Sequence, residues 1–347
     1  MDALLRPWPE SRSPEVHARR APRRPGVGNS AAPAMIMTTL LRLVFAVALG
    51  GLFTLAPASA ARSPSSNPAE LPQACDVDRD AQSCLKQAIR LYEGKTLPKD
   101  DATARRFAAK ACAEGAAEGC NFLAAMLEKG IGGPADRQAA VRNYRRACNA
   151  GYANACYNLG QLFYFAAANE GEVVEARELF AEACDAKIAD SCNNHAVMVK
   201  FGEGGPRDLS AARALFDAAC AAGSIDGCTN HGFMLMMGEA GPRDIARAAK
   251  LLDAACTANA PNACDNMGVM LMNGMNGPTD FGRAGTLLRR ACALGSQSGC
   301  FNLGQMLTKG PDHIRDPGAA DAAHKEACRL GHKQACTLTT TPIQPGA

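Results

Sequence analysis

Cysteines recur along this chain with a fixed period, and no other feature constrains its fold so tightly. Cys112, Cys148, Cys184, Cys220, Cys256, Cys292 and Cys328 stand 36 residues apart. A second series, Cys120, Cys156, Cys192, Cys228, Cys264, Cys300 and Cys336, follows the first by eight residues and keeps its period. Cys84 falls on the second series and Cys75 lies one residue off the first, completing the 16 cysteines of the 347-residue chain. A strict internal period of this length marks a solenoid, in which each unit is one supersecondary element that buries its apolar face only against its neighbours. Seven full units tile residues 85–336 without an insertion, behind a partial unit at the front.

Each unit reads as a pair of helices. Counting from the residue after the second cysteine, position 20 is always alanine (Ala104, Ala140, Ala176, Ala212, Ala248, Ala284, Ala320), and so is position 27 (Ala111, Ala147, Ala183, Ala219, Ala255, Ala291, Ala327). Large apolar residues lie between them, as in Leu215 with Phe216 and Leu287 with Leu288. This i, i+3, i+4, i+7 spacing is one face of the second helix, with small residues where backbones approach. Position 16 is acidic throughout (Asp100, Asp136, Glu172, Asp208, Asp244, Asp280, Asp316) and is expected to cap that helix. The first helix repeats the pattern at Leu303, Met306, Leu307 and Gly310, and ends in Gly-Pro turns such as Gly205-Pro206. The third unit lacks that turn between Phe165 and Gly171, so its loop is expected to differ. A core of Ala, Leu, Met and Cys with only 5% aromatics suits close-packed helices, so the predicted fold is all-α, an α/α superhelix.

The cysteine spacing also dictates the pairing. Residues eight apart on one helix are separated by about 12 Å, whereas a disulfide needs Cα atoms within about 7 Å. The chain must turn between each pair. Gly115, Gly151, Gly223, Gly295 and Gly331 stand three residues after the first cysteine, with Lys187 and Asn259 in the other two places. Gly and Asn favour the left-handed helix C-cap. Each bridge is therefore predicted to clip the end of one helix pair to the start of the next, stabilising by about 2–3 kcal/mol. A zinc or iron–sulfur site fits poorly, because seven residues between ligands departs from the short spacing of compact sites. No metal or cofactor is expected.

Residues 1–60 read as a leader: an apolar stretch from Leu43 to Leu55 follows Arg42 and ends at Ala58-Ser59-Ala60, a small-x-small cleavage signal. Met35 or Met37 would give the more usual start. Without the leader the charge falls from +3 to −1, with 30 basic and 31 acidic residues, which gives no electrostatic case for nucleic acid or an anionic membrane. No cysteine stands just after the apolar stretch, so no lipid anchor in the membrane is expected. A linker (61–74), the repeat array (75–336) and a disordered tail (337–347) complete the expected organisation, in a monomer exported to the periplasm or secreted.

Ala291-Cys292-Ala293-Leu294-Gly295 and Cys300-Phe301-Asn302-Leu303-Gly304, together with the 36-residue period, resemble the Sel1-like repeat, and within it the Helicobacter cysteine-rich proteins. The resemblance covers residues 75–336. It implies a superhelix related to tetratricopeptide repeats and a scaffold that binds a peptide, a protein or a cell-wall fragment on its concave face. Some cysteine-rich members carry the label of penicillin-binding protein or β-lactamase, which supplies the alternative reading. Ser83-Cys84-Leu85-Lys86 matches the Ser-x-x-Lys nucleophile motif, but no Ser-Asp-Asn or Lys-Thr-Gly accompanies it.

Position 2 carries asparagine in five consecutive units: Asn158, Asn194, Asn230, Asn266 and Asn302. Such a ladder can bond the main chain of an extended peptide, or it can satisfy groups at the junctions between units. Among the central methionines, Met234 and Met270 occupy a core position, whereas Met236 and Met272, at position 8, are the candidates for exposure. His195 and His231, at position 3, are expected to face the core rather than to bind metal.

Overall fold

The computed structural model describes Cys75 and residues 80–338. The expected leader, the linker and the end of the tail lie outside the described residues. The chain forms helix pairs in sequence order: α1 (Ala81–Glu93) with α2 (Asp101–Ala113), α3 (Ala117–Lys129) with α4 (Arg137–Asn149), α5 (Ala153–Phe165) with α6 (Glu170–Asp185), and α7 (Ala189–Phe201) with α8 (Leu209–Ala221). The series continues with α9 (Ile225–Met237) and α10 (Ile245–Thr257), α11 (Pro261–Met272) and α12 (Phe281–Ala293), then α13 (Gln297–Lys309) and α14 (Pro317–Arg329), before the short α15 (Lys333–Cys336). No strand occurs among the described residues, and no helix there is long and apolar enough to cross a membrane.

The turn that joins each pair to the next is built as the cysteine spacing requires. Gly115, Gly151, Gly223, Gly295 and Gly331 all have positive φ, and Lys187 and Asn259 adopt the same left-handed conformation. At the fourth of these turns Gly223 N–H donates to the Cys220 carbonyl and Ser224 N–H to that of Ala219, satisfying the end of α8. The turn brings the Cα atoms of Cys220 and Cys228 to 4.4 Å, and a disulfide joins them. Equivalent bridges link Cys112–Cys120, Cys148–Cys156, Cys184–Cys192, Cys256–Cys264, Cys292–Cys300 and Cys328–Cys336, with Cys75–Cys84 at the front. No cysteine is left free.

Small residues let the helices meet. Every position-20 alanine from Ala104 to Ala284 is fully buried. Gly227, at the start of α9, packs so closely on the end of α8 that a Cβ there would lie 2.6 Å from that of Ala219. Gly232 and Gly268 leave room for Leu252 and Leu288 of the paired helix in the same way. A second tie runs outside the core. Arg105, Arg177 and Arg213 each reach 29 residues along the chain to donate to the carbonyl of the proline in a later turn, Pro134, Pro206 and Pro242.

The acids at position 16 cap the second helix in six units: Asp100, Asp136, Asp208, Asp244, Asp280 and Asp316 each accept from a backbone N–H of the first turn. Glu172 departs from that expectation. Without a Gly-Pro turn, α6 starts earlier and runs 16 residues, and Asn169 caps it by accepting from Glu172 N–H at 3.0 Å. Glu172 instead forms a two-bonded ion pair with Arg137, the closer contact being 2.6 Å.

Met236 also corrects its expectation. It is 4% exposed, because the concave packing of successive first helices draws position 8 into a cluster with Met267, Met270 and Leu271. Met272 is half-buried, and the exposed methionines are Met237 and Met275.

Candidate binding groove

The first helices of successive pairs approach one another more closely than the second helices do, so the array curves with the first helices inside. Across the central units this concave surface deepens into a groove of about 500 Å³. Its two walls come from opposite ends of the same helices. The N-terminal turns supply Asp226, Asn262, Ser298 and the amides of Asn194, Asn230 and Asn266. The C-terminal turns supply Tyr164, Phe165, Lys200 and Phe201, and Phe233 stands between the walls.

The asparagine ladder divides into two kinds of rung. Asn158 donates to Asn121 Oδ1 at 2.8 Å, Asn230 to Asn193 Oδ1 at 2.8 Å, and Asn302 to Asp265 Oδ1 at 2.7 Å. Each bond crosses a junction between units, from position 2 of one to position 1 of the unit before. Position 1 alternates along the chain: Asn121, Asn193 and Asp265 each present an Oδ1 to the next unit, and Tyr157, Thr229 and Phe301 alternate with them. Asn194 therefore faces the Tyr157 hydroxyl and accepts from Asn193 Nδ2 at 3.3 Å. Asn266 lines the groove with no protein partner for its amide. This two-unit alternation escaped the reading of single positions, although it is visible in the sequence once positions 1 and 2 are taken together.

Charge is unevenly spread. Lys200 is paired with Glu239 at 2.7 Å, and its ammonium lies 5.8 Å from the Phe201 ring and 5.1 Å from that of Phe233. Arg207, on the exposed rim, donates Nε to the Lys200 carbonyl. On the opposite wall Asp190 accepts from the Ser224 hydroxyl at 2.8 Å. Asp226 opens to the groove, and its carboxyl is pushed above the usual range by the protein crowding around it and by the neighbouring Asp190. Asp265 is raised by burial, against the hydrogen bonds it accepts from Asn302 and Ser298. The Tyr157 hydroxyl is raised by burial and by Asp190 and Asp226.

Other candidate residues lie elsewhere. Ser83 is fully buried in the first turn of α1, where its backbone N–H donates to the capping Asp80, and Lys86 points to solvent. His231 is buried with Nδ1 3.0 Å from Asp217, and His195 is half-buried. Cys148, Cys156 and Glu182 cluster closely, but both sulfurs are committed to a disulfide and do not supply thiolate ligands.

Helix pairs stacked into a curved array, with a groove on the inner face, define an α/α repeat scaffold. The Sel1 repeat profile matches residues 81–115, 117–152, 153–187, 189–224, 225–259, 261–296 and 297–322, and the chain belongs to the Sel1 repeat family. Scaffolds of this family typically mediate protein–protein interaction. No curated protein matches the chain.

Among solved structures it is similar to a protective antigen of uropathogenic Escherichia coli with this repeat fold, at 19% identity and a TM-score of 0.66. That match covers 77% of this chain and 57% of the antigen, so the chain spans little more than half the length of that relative. A Sel1 repeat protein from Oxalobacter formigenes matches at 21% identity and a TM-score of 0.60, over 75% of each chain. Helicobacter pylori cysteine rich protein B is 26% identical over 38% of this chain and 95% of its own, at a TM-score of 0.31.

Proposed function

We propose that this protein is an exported scaffold that holds an extended segment of another protein in its concave groove. Asn266 carries the reading: its amide lines the groove with donors and acceptor uncommitted, where a peptide main chain offers the complementary groups. Asn194 and Asn262 extend the same polar wall, while Phe165, Phe201 and Phe233 offer apolar contact opposite. Alternate side chains of an extended segment would point to the two walls. Eight disulfides suit an oxidising compartment, and the residue 1–60 leader read from the sequence would deliver the chain there.

Panning a displayed library of linear peptides against the oxidised chain tests the proposal. The expected result is a family of groove-binding peptides whose affinity falls in Asn266→Ala while the melting temperature stays put. Undiminished affinity in that variant, or a matching loss of stability, would overturn it.

A further inference from the structure

The two walls of the groove differ in charge, and we infer that the segment it holds is basic, with a lysine or arginine seated against Asp226. This rests on the peptide-holding reading above and narrows it to a cationic class of partner.

Three observations lead there. First, the cations that line the groove stand with the aromatic wall: Lys200 is neutralised by Glu239, and Arg207 is held on the rim. The aspartate wall contains Asp226 and the nearly buried Asp265, with Asp190 adjoining, and neither lysine nor arginine is among its lining residues. Charge complementarity at an interface favours a partner of the opposite sign. Second, Asp226 makes no hydrogen bond or ion pair within the protein, yet it opens into the cavity beside Asp190. Its bland role would be that of a first-turn acid opposing the dipole of α9, which lowers a carboxyl pKa. The surrounding protein and repulsion from Asp190 raise it instead, and a cation arriving from the groove would offset that repulsion.

Third, the far wall continues as an apolar row. Phe165, Phe201 and Met237 occupy the same position in three successive units, and the last two are 37% and 43% exposed. Large side chains left open beside a polar wall fit a partner that is basic on one side and apolar on the other.

Two synthetic pools of linear peptides test this, identical at degenerate flanking positions but carrying lysine or glutamate at one central position. Binding of each to the oxidised full chain is followed by fluorescence polarisation. The lysine pool should bind at least about tenfold more tightly, and Asp226→Asn should abolish that preference without lowering the melting temperature. Equal binding of the two pools, or a preference that survives Asp226→Asn, overturns the basic-segment inference while leaving the peptide groove standing. Binding by neither pool overturns the groove itself.

Discussion

Asn302 donates its amide to Oδ1 of Asp265 at 2.7 Å across the junction between two units, and Asp265 is only 5% exposed. The equivalent bond from Asn158 ends on the neutral amide of Asn121. A hydrogen bond to a charged group contributes about 1.5–3 kcal/mol, against about 1 kcal/mol for a neutral pair. With Asp265 ionised, Asn302→Ala is therefore expected to destabilise more than Asn158→Ala, as read by urea unfolding at mildly alkaline pH. Equal losses would show that the carboxylate adds nothing to this junction.

The displaced cap in the third unit gives a second prediction. Asn169→Ala removes the side chain that accepts from Glu172 N–H, and should cost about 1 kcal/mol, as Asp208→Ala should in the next unit. Glu172→Gln keeps a side-chain oxygen to accept from Ala168 N–H, so it should leave the helix start intact but release Arg137, whose guanidinium also holds the Ala166 carbonyl. Amide hydrogen exchange separates the two: faster exchange at the start of α6 is expected only for Asn169→Ala. Fraying there in Glu172→Gln would reinstate the glutamate as the cap.

Much of the scaffold was legible because small residues, caps and cysteines recur at fixed positions. Ala212, Gly223 and Asp208 each carry one requirement of a unit, and each requirement repeats with the period. The groove was less legible because its chemistry is distributed over different units. Asp226 is an ordinary first-turn acid until curvature sets it across from Phe165 and beside Asp190. Met236 misled for a related reason, since position 8 looks outward on an isolated helix and is covered only when the next first helix closes on it. Glu172 fitted the period, but the missing Gly-Pro turn let α6 begin a turn early.

Each staple should act mainly on its own junction. Replacing Cys220 and Cys228 together by serine frees a loop of about nine residues, at an expected cost of about 2–3 kcal/mol. Units in a solenoid contact only their neighbours, so the loss should appear as faster amide exchange in α8 and α9 while α1 and α2 keep their protection. Uniform loss of protection along the chain would mean that the array unfolds as one cooperative body.

Acid should weaken the C-terminal end of the array, and His324 offers the place to see it. The ring lies 5% exposed against Gly304 and 5.8 Å from that of Phe301, and its Nε2 is buried without a hydrogen-bond partner. Burial lowers its pKa, His332 and Lys309 add to that, and Asp321 opposes them. The unfolded chain then binds a proton that the folded chain refuses, so stability is complete above about pH 6.5 and declines as the pH falls below it. His195 and His231, lowered chiefly by burial, act in the same direction. The raised Asp226 and Asp265 work oppositely: their contribution is full below the unfolded carboxylate value of about 3.9 and is lost as the pH climbs through their folded values. Leu252 and Leu288 occupy the equivalent place over Gly232 and Gly268, which supplies a packing template for His324→Leu. That variant should gain roughly 1 kcal/mol at neutral pH by removing an unsatisfied polar atom, and more in mild acid. Thermal melts at about pH 7.5 and about pH 5 would check it; a gain of the same size at both would mean that His324 does not titrate in this window.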